Sequence, residues 1–580
     1  MKKRILLACA ALTLTSTSLV GCGKKVVDND KRKTITVSTF NGGYGRAWLD
    51  YIVKEYNGLK NEDGSPKNKY KVVVRASKDE FEATVKPAII SGSADYDIFY
   101  SNGGVYTLID GNYLEPIDDV WNSKPDGTRT LKEMTFGADD YETAYSGTPG
   151  TPQDGHIYAV PQQESIRTFV YDHKLFLDNE LLIQSEDADG TITAWASSED
   201  ELSVGKDGIR GTYDDGHPVH EKAWKTMCAK IYSVLGSVTL STKTFGMYTN
   251  TLANMVAAQY DGVDNFRKLF TLEGTYDFGT TYEGGDPELQ GVQPFSTVED
   301  ASHKYDHGYI AQRMIGLKKG ITFLDDYVAY KKSKGNNQYA HKDSNQVGLG
   351  TIDAQNTFLL NTAITKTNRV GFLVEGDWWE NEAKTTFDAI ENKLKDGNYK
   401  FRTHDYRFMT MPYFDGQYEE DGNKYNVYDI AENMYMALIK SRVAGNEEKK
   451  AACKDFMTFT YKEKYIRSYT VLSGGVTPFD VELTEEDKAQ LSPFTRHFIE
   501  LYKDRTHNKF INTMLYKNMY LTARGGLASV YSTKIGSQGY YMICNGLYDH
   551  TVDQYFNGMY SNVKSNWSNM LAAYRQYIAH

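Results

Sequence analysis

Two adjacent tryptophans, Trp378 and Trp379, stand in the acidic stretch GFLVEGDWWENEA, residues 371 to 383. The carboxylates around them are Glu375, Asp377, Glu380 and Glu382. A core segment rarely holds so many charges, and a solvated loop rarely holds two indoles. A sugar has an apolar face of C–H groups and a rim of hydroxyls, which an indole and a carboxylate can bind respectively. The stretch therefore predicts a polyol-binding surface, with Asp377 as an acceptor at the rim.

The two indoles are not expected to share this role. Consecutive side chains on a strand or turn point in different directions. We therefore expect one of Trp378 and Trp379 to contact a ligand and the other to pack in the protein. The alternative is that both indoles belong to the core.

The elements that would position such a surface begin with alternating strands and helices. The segments TITVSTF (34–40), YKVVVRAS (70–77) and YDIFYS (96–101) have the composition of strands. Helical spacing of apolar residues separates them. This order predicts a largely parallel sheet that binds ligands beyond the carboxyl ends of its strands. The loops at those ends contribute four candidate ligand-binding residues, unless they are plain turns: Asn41, Tyr44, Ser101 and Asn102.

A second group of acidic residues lies in DGIRGTYDDG, residues 207 to 216. Asp207, Asp214 and Asp215, with glycines at the turns, could supply oxygen ligands to a structural Ca²⁺. The alternative is an acidic surface hairpin. We expect no other cofactor, because the cysteines that follow the N-terminal region are widely spaced and form no C-x-x-C pair.

Enzyme signatures are absent from the sequence, which has no G-x-S-x-G, Walker or H-E-x-x-H motif. The many Asp and Glu residues leave open a glycoside hydrolase with paired carboxylates. A helical-repeat glycan-binding surface protein is a further alternative, which the strand–helix alternation disfavours. The net charge of −11 disfavours nucleic acid as a partner.

The N-terminus has the order of an export signal. Three cations at residues 2–4 precede an apolar stretch that ends in LVGC, residues 19–22. This end resembles a bacterial lipobox, in which cleavage precedes a cysteine that then carries diacylglycerol. We expect a signal peptide at 1–21 and a polar tether at 22–33, with acyl chains on Cys22 anchoring the protein to the membrane. The alternative is an ordinary signal peptide with an incidental cysteine.

The segment DGHIYAVPQQESIRTFVYDHKLF, residues 154–176, resembles the inter-lobe crossing of extracellular solute-binding proteins that serve sugar ABC transporters, of the maltodextrin-binding type. Four later segments resemble this family in its usual order: 247–262, 370–383, 406–416 and 431–479. The chain departs from the family in its greater length and in an insertion at 185–218. The resemblance implies an α/β fold of two lobes with a helical C-terminal part.

The resemblance also implies where the lobes lie in the chain. The first lobe would consist of residues 34–163 and 413–480. The second would consist of residues 164–412 and 481–580. The chain would cross between them near residues 163, 413 and 480.

By the same resemblance, the protein would bind a carbohydrate, most simply an oligosaccharide, and deliver it to the permease of an ABC importer without catalysis. It would be a monomer held at the outer face of the cell membrane or in the periplasm. A peptide or another polar solute is the alternative ligand. Trp378 resembles the cleft tryptophan of the family and Glu164 its acidic ligand contact. The other candidates for ligand contact are Gln163, Asn250 and Asn433.

Overall fold

The computed structural model describes residues 30–77, 80–147, 155–243, 246–279, 289–297, 304–333, 339–346, 348–395 and 397–579. The predicted signal peptide and Cys22 lie outside these residues. Within them, no helix is both long and apolar enough to cross a bilayer.

The strands are short except for two long ones near the middle of the molecule. Their bounds are β1 Lys33–Phe40, β2 Tyr70–Ser77, β3 Ile98–Ser101, β4 Ala159–Asp172, β5 Leu182–Glu186, β6 Ile192–Ala196, β7 Thr239–Leu240, β8 Thr275–Asp277, β9 Val292–Pro294, β10 Phe372–Gly376, β11 Tyr406–Met409, β12 Asn426–Leu438, β13 Asn508–Ile511, β14 Thr533–Ile535 and β15 Gln538–Tyr540.

Helices surround these strands and dominate the C-terminal part. Their bounds are α1 Ala47–Gly58, α2 Lys86–Ile90, α3 Tyr106–Asp110, α4 Asp118–Trp121, α5 Leu131–Met134, α6 Ala138–Ala144, α7 His173–Asp178, α8 Glu221–Leu235, α9 Met247–Asp261, α10 Val263–Thr271, α11 Ile315–Tyr327, α12 Thr351–Leu360, α13 Trp379–Glu382, α14 Lys384–Leu394, α15 Lys440–Val443, α16 Glu447–Thr460, α17 Glu463–Ser473, α18 Glu485–Ala489, α19 Pro493–Lys503, α20 Thr513–Met519, α21 Leu521–Arg524, α22 Ile543–Leu547 and α23 Val552–Ile578.

The local patterns at the N-terminus are confirmed. In α1 the residues at helical spacing, Trp48, Ile52, Val53 and Tyr56, are buried. The next helix is interrupted near Pro87, since α2 begins at Lys86 after a π-helical turn and holds the proline at its start. Proline is tolerated there because the first helical N–H groups have no partner within the helix.

One large sheet connects the two halves of the molecule. Its strand order is β2-β1-β3-β12-β4-β10-β7, with β11 beside β4 and β13 beside β12. β1 is parallel to β2 and β3, as predicted. β12 runs antiparallel to both β3 and β4, so the whole sheet is mixed rather than largely parallel.

The long strand β4 belongs to both halves. Its residues up to Ile166 pair with β12, whereas Arg167 and the residues after it pair with β10 and β11. We name the part built on β1, β2, β3 and β12 the first lobe, and the part built on β7, β10 and β11 the second lobe. β4 therefore crosses between the lobes at Ile166 and Arg167, and the site described below lies at this crossing.

Candidate functional site

Three ends of secondary structure meet beside the crossing of β4. Tyr44 lies in the loop that follows β1 of the first lobe, and Asp377 and Trp378 directly follow β10 of the second lobe. Tyr248 lies in the first turn of α9. The carboxyl end of β1 thus faces the carboxyl end of β10 across the lobe boundary, where ligands bind in open α/β sheets.

Trp378 forms the wall of this site and contacts both lobes. Its ring lies edge-on to Tyr44 and Tyr248, with centroids 6.3 Å and 5.6 Å away. Two glycines allow the close approach: a Cβ at Gly43 would lie 2.7 Å from Cβ of Trp378, and one at Gly376 would lie 2.3 Å from its ring. Any larger residue at Gly43 would push the loop of the first lobe away from the indole.

Arg167 supplies a positive charge to this wall. Its guanidinium lies 4.3 Å from the ring centroid of Tyr248 and 5.0 Å from that of Trp378, which is cation–π geometry. The pairing of Arg167 with Gly376 across β4 and β10 fixes this position. Arg167 is only 8% exposed. Its planar guanidinium offers both hydrogen-bond donors and a flat surface at the base of the site.

A directed chain of hydrogen bonds connects the two lobes. The Tyr44 hydroxyl donates to Oδ1 of Asp377 at 2.9 Å and lies 2.7 Å from Oγ of Ser165. Because the Tyr44 proton is used, Ser165 donates to Tyr44, and Ser165 in turn accepts from Nε2 of Gln163 at 2.9 Å. Tyr469 of α17 donates to Oε1 of Gln163 at 2.5 Å. The orientation of every group from α17 to Asp377 is therefore determined.

Two buried carboxyl groups near the wall have raised pKa values. Burial, followed by the charge of Glu382, raises the pKa of Glu375 to about 8, although Gln355 donates to it at 3.1 Å. Burial raises the pKa of Asp429 to about 6, against hydrogen bonds from Asn254 and from residue 513. The charge of Arg167 acts on both carboxyl groups in the opposite direction.

Trp379 begins α13 and is fully buried. Its ring centroid is 5.2 Å from that of Tyr406 and 5.4 Å from that of Phe494. Nε2 of the buried His404 lies 3.0 Å from Oε1 of the buried Glu380. The structure thus packs one indole in the core of the second lobe and places the other at the lobe boundary, which makes Trp378 the candidate for ligand contact.

Other predicted contacts have partners away from this wall. Glu164, on the opposite face of β4 from Gln163 and Ser165, accepts from Tyr141 at 2.5 Å and also from Tyr502. Asn433 exchanges side-chain hydrogen bonds of 2.9 and 3.0 Å with Asn512. These hydrogen bonds connect β4 and β12 to the C-terminal part of the chain. Contact of Glu164 and Asn433 with ligand stays a prediction.

The remaining predicted residues lie in three places. The backbone N–H of Asn41 donates to the carbonyl of residue 77 at 2.7 Å, which holds the loop after β1. Ser101 is buried at the end of β3, and its hydroxyl donates to the carbonyl of Asn102 at 3.3 Å. Asn250 on α9 binds the backbone of residues 541 and 543. The structure thus brings together Tyr44, Gln163, Asp377 and Trp378 from the predicted set.

Sequence reasoning missed Arg167, Tyr248, Ser165 and Tyr469. Arg167 carried a usable signal, because it is a lone cation within a strand of fourteen buried residues. A cation that is almost never buried without partners indicates a specific role. Tyr248 carried no signal that distinguishes it from the other tyrosines of this chain, 44 in all.

In the predicted Ca²⁺ loop, the carboxylates accept hydrogen bonds from backbone N–H groups. Asp214 accepts from the backbone N–H of residue 206 at 2.6 Å, Asp207 from that of residue 209 at 2.7 Å, and Asp215 from that of residue 211 at 2.7 Å. Burial raises the pKa of Asp214 to about 6, although the charge of residue 206 lowers it. These oxygens stabilise the loop by themselves, and Ca²⁺ binding stays a prediction.

A different group of potential metal ligands occurs in the described residues. The ligand atoms of His173, Glu199 and Asp405 lie within 4.8 Å of one another. Arg407 donates to Glu199 at 2.7 Å and to Asp405 at 2.9 Å. The hydrogen bond with His173, with a smaller contribution from the charge of Arg407, lowers the pKa of Glu199 to about 2, although burial acts to raise it. The guanidinium of Arg407 already supplies a positive charge to the carboxylates of Glu199 and Asp405.

The fold consists of two α/β lobes with polar and aromatic side chains at their boundary. The profile of the family described as bacterial extracellular solute-binding protein matches residues 52–491. This range is well over half of the chain, and the protein belongs to the bacterial extracellular solute-binding proteins. Members of this family are binding proteins that act outside the cell.

Several solved structures are similar to this chain at low identity, and the first of them shows the same fold. A chitin oligosaccharide binding protein has 14% identity and a TM-score of 0.53, over 92% of this chain and 98% of that protein. The apo form of RafE from Streptococcus pneumoniae has 13% identity and a TM-score of 0.48, over 91% and 97%. The maltose-maltodextrin binding protein of Alicyclobacillus acidocaldarius has 12% identity and a TM-score of 0.46, over 92% and 100%. The curated proteins contain no match.

Proposed function

We propose that this solute-binding protein binds an oligosaccharide between its lobes and delivers it to an ABC importer. The observation that supports this most is the wall of Trp378, Tyr248 and Arg167 beside the oriented hydrogen bonds of Tyr44 and Asp377. The indole and phenol suit the C–H face of a sugar ring, and the guanidinium and carboxylate suit its hydroxyl rim. A neighbour of the same fold carries the name of a chitin oligosaccharide binding protein, so N-acetylglucosamine oligomers are the first ligands to test.

Binding would act on the equilibrium between open and closed lobes. The Tyr44–Asp377 hydrogen bond and the packing of Gly43 on Trp378 both cross the lobe boundary. A ligand that contacts Trp378 and Tyr44 together interacts best when the lobes are close, so it shifts the population toward the closed form. A permease that recognises this form would receive loaded protein in preference to empty protein. The energy for transport comes from the importer, and no bond of the ligand is made or broken.

The predicted lipid anchor would support delivery of the ligand to the importer. Acyl chains on Cys22 would keep the receptor near its permease, with residues 22–33 as a tether. Cys22→Ser should release the protein from the membrane fraction into the medium of intact cells or into the periplasm. Mass spectrometry of the wild-type N-terminal peptide should show diacylglycerol on the cysteine. An unmodified peptide would leave the anchor without support and the ligand site unaffected.

A screen of the purified, signal-free protein against a glycan panel tests the proposed ligand class. The melting temperature of the protein should rise with N-acetylglucosamine oligomers or maltooligosaccharides, because a ligand that binds only the native state stabilises it by mass action. Peptides and amino acids belong in the same panel, and a shift with those alone would assign a different polar solute. Size exclusion with light scattering should show a monomer with and without ligand.

The same samples separate a receptor from a glycoside hydrolase. After prolonged incubation, the recovered oligosaccharide should have its original length and no new reducing ends. Release of shorter sugars in proportion to protein concentration would instead show turnover and would replace the proposed receptor function with hydrolysis.

A further inference from the structure

The insertion at residues 185–218 packs on the second lobe. Its strand β6 carries Trp195, whose ring centroid lies 3.9 Å from Nζ of Lys230 on α8. On the same helix, the ring of Trp224 stacks on Phe372 of β10, with centroids 5.6 Å apart and an angle of 9° between the planes. These contacts attach the insertion to the second lobe through α8.

One lysine of the insertion binds the chain where it passes between the lobes for a second time. Thr410 and Met411 directly follow β11 of the second lobe, and Asn426 begins β12 of the first lobe. Nζ of Lys206 donates to Oγ1 of Thr410 at 3.1 Å and to the carbonyl of Met411. It also donates to the amide oxygen of Asn426, at 3.0 Å in the orientation in which that amide donates to Met411. Lys206 thus connects both ends of this second crossing.

A tyrosine of the same insertion binds the strand that pairs with β12. The hydroxyl of Tyr213 donates to Oδ2 of Asp504 at 2.7 Å and accepts from Nδ2 of Asn508 at 3.0 Å. Asn508 begins β13 and is the register partner of Asn426 in the parallel pair of β12 and β13. Lys206 and Tyr213 therefore hold the two strands at the same register step.

The insertion fixes these two side chains relative to each other. Asp214, the next residue after Tyr213, accepts from the backbone N–H of Lys206 at 2.6 Å. Gly205 has a φ of +60°, and a Cβ there would lie 2.3 Å from Cγ of Asp214. Only glycine suits this close approach and this backbone conformation. Lys206 and Tyr213 therefore belong to one closely packed loop.

We propose that the insertion is a brace across the lobe boundary, in which Lys206 and Tyr213 are positioning residues that favour the closed arrangement of the lobes. The hydrogen bond from Tyr44 to Asp377 crosses the boundary in this same arrangement. A rotation that separates those two residues would move β12 relative to β11, and Lys206 would lose acceptors that its ammonium needs when it is buried. The brace acts on the equilibrium between open and closed lobes, whatever the class of the ligand.

Small-angle scattering of the purified, signal-free protein without ligand tests the brace, with the data fitted as a mixture of open and closed forms. Lys206→Met keeps most of the aliphatic chain and removes the donors, so it should raise the ratio of open to closed protein roughly tenfold. Tyr213→Phe removes only a hydroxyl and should raise the ratio about three- to tenfold. The double variant should exceed either single variant.

The scattering is best measured at pH 6, where Lys206 is protonated. Burial lowers the pKa of Lys206 to about 7, although the charges of Asp214 and Glu186 act to raise it. Differential scanning calorimetry on the same samples shows that each variant is folded at the temperature of the scattering experiment.

Lys222→Met is the matched control. Lys222 lies on α8, and its Nζ donates to Oγ1 of Thr191 in the insertion at 2.8 Å. This hydrogen bond connects the insertion to the second lobe only. Its loss should therefore leave the ratio of open to closed protein unchanged.

A larger open fraction in Lys206→Met and Tyr213→Phe, but not in Lys222→Met, supports the brace. An unchanged ratio in the double variant overturns it, as does an equal rise in the control. If the variants at Lys206 do not fold, the ratio in Tyr213→Phe decides in the same way. The scattering requires no ligand, so the proposed carbohydrate function is tested separately by the glycan screen.

Discussion

Trp378 and Trp379 are neighbours in the chain but lie in two regions of opposite character. Trp379 sits among aromatic rings in the second lobe and contacts no part of the first, as far as its ring contacts in the described residues show. Trp378 sits beside a tyrosine from the first lobe, a tyrosine from α9 and an arginine from the crossing strand. Both follow the end of β10, and they differ because Trp378 lies in the turn after the strand whereas Trp379 begins helix α13.

One short segment can therefore serve both stability and binding. The Trp379 region is closed by packed rings and the internal contact of Glu380 with His404. The Trp378 region is closed by hydrogen bonds and glycine contacts that would change when the lobes separate. Substitutions in the first region should therefore change the free energy of unfolding, and substitutions in the second should change ligand affinity.

The largest effect is expected for Trp379→Ala. Removal of a fully buried indole leaves a cavity among well-packed rings and should reduce the free energy of unfolding by about 3–5 kcal/mol. Urea denaturation followed by circular dichroism measures this loss. Trp195→Ala is the matched control, because Trp195 lies in the partly exposed hairpin β5–β6 and should cost much less. Equal losses at both positions would show that Trp379 does not anchor the second lobe.

Glu375 should give the stability of this region a specific pH dependence. Its folded-state pKa of about 8 lies above the usual value near 4.3, so the folded protein retains a proton that the unfolded chain releases. Its contribution to stability is fully present below the unfolded pKa and falls as pH rises toward about 8. Glu375→Gln should therefore reduce the difference in the free energy of unfolding between about pH 5 and pH 8.

Glu380 is the internal contrast for this pH experiment. Burial alone would raise its pKa, but His404 brings it below its usual value, so its contribution is lost as pH falls. Glu380→Gln should accordingly affect the acid side of the curve, and Glu375→Gln the neutral to alkaline side. The same pH profile for both variants and the wild type would refute the opposite environments described for the two carboxyl groups.

Trp378→Ala should have the converse effect to Trp379→Ala. We expect ligand affinity to fall more than tenfold, or more than about 1.4 kcal/mol, because the sugar loses its aromatic surface. The melting temperature without ligand should change far less than in Trp379→Ala. Calorimetric titration and differential scanning calorimetry on the same samples measure both quantities. A variant that melts early yet binds normally would reverse the assignment of the two indoles.

The smallest effect is expected for Tyr44→Phe, which keeps the ring and removes the hydroxyl that donates to Asp377. Loss of one hydrogen bond to a charged group should weaken binding by roughly three- to tenfold. Because the hydrogen bond crosses the lobe boundary, the variant should also populate the open form more often in small-angle scattering. Tyr469→Phe, which breaks the same chain further away, should have a weaker effect. An unchanged affinity in both variants would remove this chain from the binding mechanism.

Features that depend on neighbouring residues could be predicted from the sequence. The strands and helices up to β3 follow from local patterns of apolar residues. The helix after Gly246 and the strand before Trp378 lie in segments that resemble the solute-binding family. The site loop after β1 could be placed because ligands bind at the carboxyl ends of strands. The separation of the two indoles also follows from the alternation of side chains.

Features that depend on distant pairing could not be predicted. β4 pairs with β12, more than 260 residues later, and this pairing places Ser165 toward Tyr44 and Glu164 toward Tyr502. A single register step exchanges those two faces. Nothing local indicates that Asn250 binds the backbone of residue 541 rather than a ligand. Long-range register therefore decided which of the polar candidates joined the site.

A crystal structure of the protein with the tightest glycan from the screen tests the proposed function most directly. We expect an intact oligosaccharide between the lobes, with one ring stacked on Trp378 or Tyr248 and hydroxyls bonded to Arg167 or Asp377. Density for the glycan on another surface, or for a cleaved sugar in this position, would refute the proposed receptor function.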